Sequence, residues 1–150
     1  MKNFIRCDDQ GREVVPGDDY CIVYDPATNL EWLADLLPES HNFQSAGHAA
    51  ASLDLAGGSW RLPTYHEALS IVDVTRSTPA RDPAFRATIN TSKSINERRL
   101  TNEVIWTSTS DASSPMDDAW AVFFQFGHLG VYLKSMEWWV RPCRMRGATS

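Results

Sequence analysis

The chain has 150 residues, 43% hydrophobic and 22% charged, a balance that suits one packed domain and excludes disorder over the whole length. A net charge of −5 sets the whole-molecule field against a phosphate backbone, which excludes nucleic acid as a general partner and disfavours sulfated polysaccharide. No apolar run approaches the ~20 residues of a membrane-spanning helix, and Met1 to Asp9 has no apolar signal core.

The expected location is therefore the cytoplasm, or a virion or surface particle into which the protein is assembled. Cys7, Cys21 and Cys143, an odd set with no export signal, predict free thiols in a reducing compartment. In an oxidising medium Cys21 and Cys143 are the expected pair, because both lie in strand-like segments.

Residues 1–19 are polar and turn-rich and read as an N-terminal extension. The domain is expected over 20–147, with a tail at 148–150. Tyr20 to Tyr24 reads as a strand stopped by Asp25-Pro26. Leu30 to Ala34 reads as a second strand, and the turn-forming residues between them predict a hairpin. From Phe43 to Leu55 the period changes: Ala46, Ala49, Ala50 and Leu53 fall on one helical face, ended by Gly57-Gly58.

Thr64 with Glu67 three residues on is a capping box, which predicts a second helix with Tyr65, Ala68, Leu69 and Val72 on its apolar stripe. His66, Ser70 and Asp73 take its polar face. Residues 75–103 form a long polar stretch with no clean period. Val104 to Thr109 is a strand, Asp111 to Asp118 a polar loop, and Ala119 to Phe126 a strand apolar on both faces. Gly127 to Gly130 is read as the turn into Val131 to Lys134, and Trp138 to Met145 as the last strand. Helices in one part of the chain and hairpins in the other predict an α+β fold, two helices packed on a twisted, mainly antiparallel sheet with long irregular loops.

Five segments recur in a familiar order: Asp25 to Trp32, Gly57 to Thr64, Ile105 to Ser110, Ala119 to Gly127, and Val140 to Arg144. The series resembles the DUF1566 family, also called the Lcl C-terminal domain family after a bacterial collagen-like adhesin. More distantly it resembles the formylglycine-generating-enzyme branch of the C-type-lectin-like fold, which shares the Arg-Leu-Pro-Thr helix start at Arg61 to Thr64. The resemblance covers roughly residues 20–147. It implies a C-type-lectin-like fold in a bacterial or phage protein whose role is recognition, often of carbohydrate or another surface partner.

Candidate binding residues follow from exposure and chemistry. Successive strand residues face opposite ways, so either Trp138 or Trp139 is expected to present an exposed ring to a sugar face or a protein, with Tyr132 nearby. Asp111, Asp117 and Asp118 supply oxygens in a loop. Calcium is disfavoured there, because the Glu-Pro-Asn and Trp-Asn-Asp motifs of calcium-binding lectins are absent. Arg98 and Arg99 add charge to the long polar stretch. Arg61 is expected to pair with a carboxylate or with backbone carbonyls. Arg141, Arg144 and Arg146 are expected to form ion pairs and to stack on Trp138 or Trp139.

His41, His48, His66 and His128 show no metal spacing, no cofactor motif occurs, and no nucleophile–base pattern is visible. The oxidase of the related enzyme branch relies on a pair of cysteines near its cleft, whereas only Cys143 lies in the C-terminal part here. The sequence thus points to a non-catalytic recognition module for a cell-surface glycan or a protein, built on loops 75–103 and 111–118. The alternative is an intracellular protein, phage- or mobile-element-encoded, that inhibits or recruits a host protein. An oligomer fits either reading.

Overall fold

In chain order the elements are β1 (Ile5–Cys7), β2 (Ile22–Asp25), β3 (Leu30–Leu33), α1 (Phe43–Ala51), α2 (Tyr65–Ser70), β4 (Val104–Ser110), β5 (Asp118–Phe123), β6 (His128–Leu133) and β7 (Cys143–Met145). They come from a computed structural model that describes residues 3–76, 79–88 and 103–147. Two antiparallel sheets result, β1-β2-β3-β7 and β4-β5-β6, where the sequence pattern suggested one. The α+β class stands. Among the described residues, no helix is long and apolar enough to cross a membrane.

The first hairpin forms as predicted. Asp25 accepts hydrogen bonds from Ala27 N and Thr28 Oγ1, and Asn29 takes the left-handed conformation that closes the turn. The supposed N-terminal extension joins the fold: β1 pairs with β2, and Phe4 packs edge-on to Phe85 at 5.1 Å. A three-residue edge strand is too short to show a period in the sequence.

Asn42 caps α1 by accepting from Ser45 N. The helix ends at Ala51, four residues earlier than its apolar spacing suggested. Ser52 there turns its hydroxyl back onto His48 O at 2.7 Å, and Ala56, Gly57, Gly58 and Ser59 follow with positive φ. Leu53 leaves the helix and packs beside Trp60. The predicted capping box starts α2: Thr64 Oγ1 accepts from Glu67 N, and Glu67 Oε1 from Thr64 N.

The turn between β5 and β6 is Phe124 to Gly127, so His128 already lies in β6, contrary to the Gly127–Gly130 assignment. Gly127 supplies the positive φ that the turn needs. Gly130 instead sits under the Tyr132 ring, where a Cβ would meet ring atoms at 2.7 Å. Between β4 and β5 the register shifts after Trp106. Thr107, fully buried, fills the break by donating its hydroxyl to Trp120 O at 2.7 Å.

The core lies between the sheets. Trp32 and Trp106 are completely buried. Each ring's burial is worth roughly 4–6 kcal/mol at ~25 cal/mol per Å². The segment from Trp138 to Cys143 ties the sheets together. Trp138 bridges His41, Trp139 bridges Ile105, and Cys143 bridges Arg61 and pairs with Trp32.

Candidate functional site

Trp138 and Trp139 are both buried, at 5% and 3% exposure. The expectation of one exposed ring is corrected, for a physical reason: this segment runs between two sheets, so neither of its faces meets solvent. Tyr132 is half-buried, its ring edge-on to Trp138 at 5.0 Å. The Asp111 carboxylate is occupied by its own loop, accepting from Ser113 N and Oγ. Asp117 is exposed and its carbonyl takes Lys134 N, while Asp118 lies within β5 opposite Leu133. The structure therefore joins Tyr132 to Trp138, leaves Asp111 and Asp117 in the loop and puts Asp118 in β5, and gathers no common site from them. Arg98 and Arg99, and most of the stretch 75–103 proposed as a binding loop, lie outside the described residues.

The arginines near the C-terminus do form ion pairs and aromatic stacks, the stacks falling on rings other than the pair expected. Arg141 lies over Phe85, Arg144 over Trp60 and Arg146 over Tyr24, at 5.2, 4.5 and 3.6 Å from the ring centroids. Arg144 and Arg146 share Glu31.

One concavity among the described residues is a groove that the sequence did not indicate. Phe43, Gln44, Gly47 and Ala51 line one side of a groove of about 460 Å³; Arg61, Leu62, Thr64 and Ser108 line the other. Spacings of i, i+1, i+4 and i+8 put the first four on one face of α1. Phe43 is held edge-on to Trp106 at 5.7 Å, with Lys134 Nζ 4.5 Å from its ring centroid. Ser108 N bonds Pro63 O, which fixes β4 against the Trp60–Thr64 segment. A Cβ on Gly47 would meet nothing within 4 Å, so the helix is bare at the centre of the groove. A larger hollow, about 770 Å³, opens beside Phe4 and residues 70–76, but Asp73 there is spent on Thr75 and Arg76.

Arg61 meets the sequence expectation twice. Its two Nη groups bond Glu67 at 2.6 and 2.9 Å, and Nη1 also bonds Leu62 O. These hydrogen bonds hold Glu67 below the usual carboxylate range, and Glu67 in turn raises Arg61. The pair is half-exposed at the groove's rim, so it presents a fixed, charge-balanced edge.

Behind it, Cys143 Sγ lies 3.5 Å from Arg61 Nη1 and 3.9 Å from Glu67 Oε1. Burial pushes this thiol up to about 12 despite the neighbouring guanidinium. All three cysteines are free, and the Cys21–Cys143 pairing is corrected. Cys143 is two strands from Val23 across Trp32, about 10 Å by strand spacing, and Cys21 is two residues further along. A disulfide needs Cα atoms within ~7 Å. Native protein at pH 8 is expected to take label from iodoacetamide at Cys21, which is half-buried, far faster than at Cys7 or Cys143, which are buried; mass spectrometry reads the sites. Equal labelling of Cys143 would contradict this environment.

Among the described residues no three His, Cys, Asp or Glu side chains gather as a metal site would require. A family model described as Lcl C-terminal domain matches residues 21–144. No curated protein matches the chain.

Proposed function

Because the chain belongs to the Lcl C-terminal domain family, we propose that it is a non-catalytic recognition module of C-type-lectin-like build whose ligand is a protein segment seated in the α1 groove. The observation that carries this is the groove's lining. Its floor is Phe43, Gly47, Ala51 and Leu62, and its polar edge is Gln44, Arg61 and Ser108. An apolar side chain fills such a floor while the edge bonds the neighbouring backbone. A glycan platform of exposed tryptophan is not offered by Trp138 or Trp139, which are enclosed. The raised Cys143 thiol has little thiolate at neutral pH, which weighs against a cysteine-based oxidase.

Gly47 provides the test. Gly47→Leu places a side chain in the groove where no neighbour stands. It also replaces a mid-helix glycine, so the fold gains about 0.5–1 kcal/mol and Tm rises by ~1–4 °C. Peptides selected from a displayed library against the wild type are expected to lose at least tenfold in affinity for Gly47→Leu. Peptides that bind both proteins alike would place recognition elsewhere. A glycan array that lights up with the wild type and fades with Gly47→Leu would turn the ligand class to sugar.

A further inference from the structure

We propose that the outer edge of β6 pairs with β6 of a second copy of this chain, joining two three-stranded sheets into one six-stranded sheet about a twofold axis. β6 is the edge of its sheet among the described residues. Lys134 N bonds Asp117 O at 2.7 Å, which fixes the ladder's phase. In an antiparallel pair, bonded and non-bonded residues alternate. With Asp118 opposite Leu133, it follows that Tyr132, Gly130 and His128 bond towards β5. The N–H groups of Leu129, Val131 and Leu133 then point away from β5, and with them the C=O groups of Leu129 and Val131. Leu133 O takes Met136 N.

The residues with outward backbone groups also carry the apolar side chains. Val131 is 39% and Leu133 54% exposed, while Leu129 is half-buried. Edge strands are ordinarily protected by Lys, Pro or a bulge. None of these occurs in His128 to Leu133, whose six-residue pairing with β5 is unbroken.

Charge leaves this strip open to a second copy. The chain carries −5, so two copies repel over most of their surface, yet His128 to Leu133 contains no Asp, Glu, Lys or Arg. Geometry agrees. An antiparallel pair centred on Val131 places each Val131 N–H on the other's Val131 O, and each Leu133 N–H on the other's Leu129 O. All of these groups face outward. The same axis brings the Phe126 end of one copy to the Met116 end of the other. These residues, 64% and 86% exposed, flank the two ends of β6. A strand edge with two small clamps is a modest interface, so dissociation on the order of micromolar is expected.

The dimer edge is separate from the α1 groove, and its test does not depend on any ligand. Sedimentation velocity of the full chain from 1 to ~200 µM is expected to show a monomer–dimer equilibrium. Val131→Lys and Val131→Glu each set like charges directly opposite one another across the axis and should raise the dissociation constant at least tenfold. Both residues face solvent on an edge, so circular dichroism and Tm should stay within error of the wild type. An equal mixture of the Lys and Glu variants is expected to restore the dimer. A wild type that stays monomeric at 200 µM, a trimeric mass, variants that still associate, or a mixture that stays monomeric would each overturn the proposal.

Discussion

Arg141→Met is expected to destabilise the protein by about 3–5 kcal/mol, seen as a lower urea midpoint with an unchanged slope and a fall in Tm of roughly 6–20 °C. Arg141 is fully buried. Its guanidinium donates to Leu33 O at 3.0 Å, Ala34 O at 2.6 Å and Arg86 O at 2.6 Å, with Glu103 at 3.8 Å. Burial pulls its pKa down to about 10 while Glu103 acts to raise it, so it remains a cation at neutral pH.

Methionine matches the stem but removes this donor from three carbonyls; Ala34 O keeps Arg86 N at 2.7 Å, and each buried carbonyl left unpaired costs about 1–3 kcal/mol. Glu103 keeps Arg81, whose Nε lies 2.7 Å from it, so the carboxylate is not stranded. Arg141→Lys should lose nearly as much, because one ammonium cannot reproduce a planar fork. A cost below 1 kcal/mol for Arg141→Met would mean that the guanidinium is not seated among these carbonyls. The magnitude is large because the carbonyls belong to different segments. Leu33 closes β3, Ala34 follows it, and Arg86 belongs to the stretch 79–88.

None of those partners is legible in the sequence. Arg141 and Leu33 are 108 residues apart, and no local pattern encodes such a contact. The sequence carries what is local: the Asp25 turn, the Asn29 reversal, the alanine face of α1 and the Thr64–Glu67 box. Trp138-Trp139 shows where local reading stops. Alternation is a sound rule for a strand with one wet face, but here both rings are buried, Trp138 against Tyr132, while backbone bridges to His41 and Ile105 hold the segment in place.

The groove escaped for a related reason. Phe43, Gln44 and Gly47 read as an ordinary helix start, and Arg61 and Leu62 as scaffold. They become a site when Ser108 N fastens β4 to Pro63, a contact between distant segments. The open edge of β6 was half visible. The uncharged run His128 to Leu133 is in the sequence, but its position at a sheet margin is a fact of topology.

Glu31 and Arg144 are expected to behave as a coupled pair with unequal members. Both are nearly buried, at 3% and 6% exposure, and Arg144 Nε lies 3.1 Å from Glu31 Oε1. Glu31→Leu should cost about 3–5 kcal/mol, because it strands the guanidinium. Arg144→Met should cost at least as much. Arg144 Nη1 also bonds Ala56 O at 2.9 Å and Gly58 O, and the guanidinium lies 4.5 Å from the Trp60 ring centroid.

Ala56 is one of three non-glycine residues with positive φ among the described residues, a conformation that persists only when its surroundings impose it. Arg144 imposes it by gathering the loop's carbonyls. The double variant should cost ~1–3 kcal/mol less than the sum of the two singles, since the second change removes a charge already stranded. Hydrogen exchange separates the two roles: Arg144→Met should speed the amides of residues 56–59 at least tenfold, and Glu31→Leu much less. Equal acceleration by both would mean that Glu31, rather than the carbonyl contacts, holds this loop. Strict additivity would mean that the ion pair contributes nothing beyond its separate members. The loop leads directly into Trp60 and Arg61, so a loosened 56–59 segment is also the route by which a change at Arg144 reaches the rim of the α1 groove.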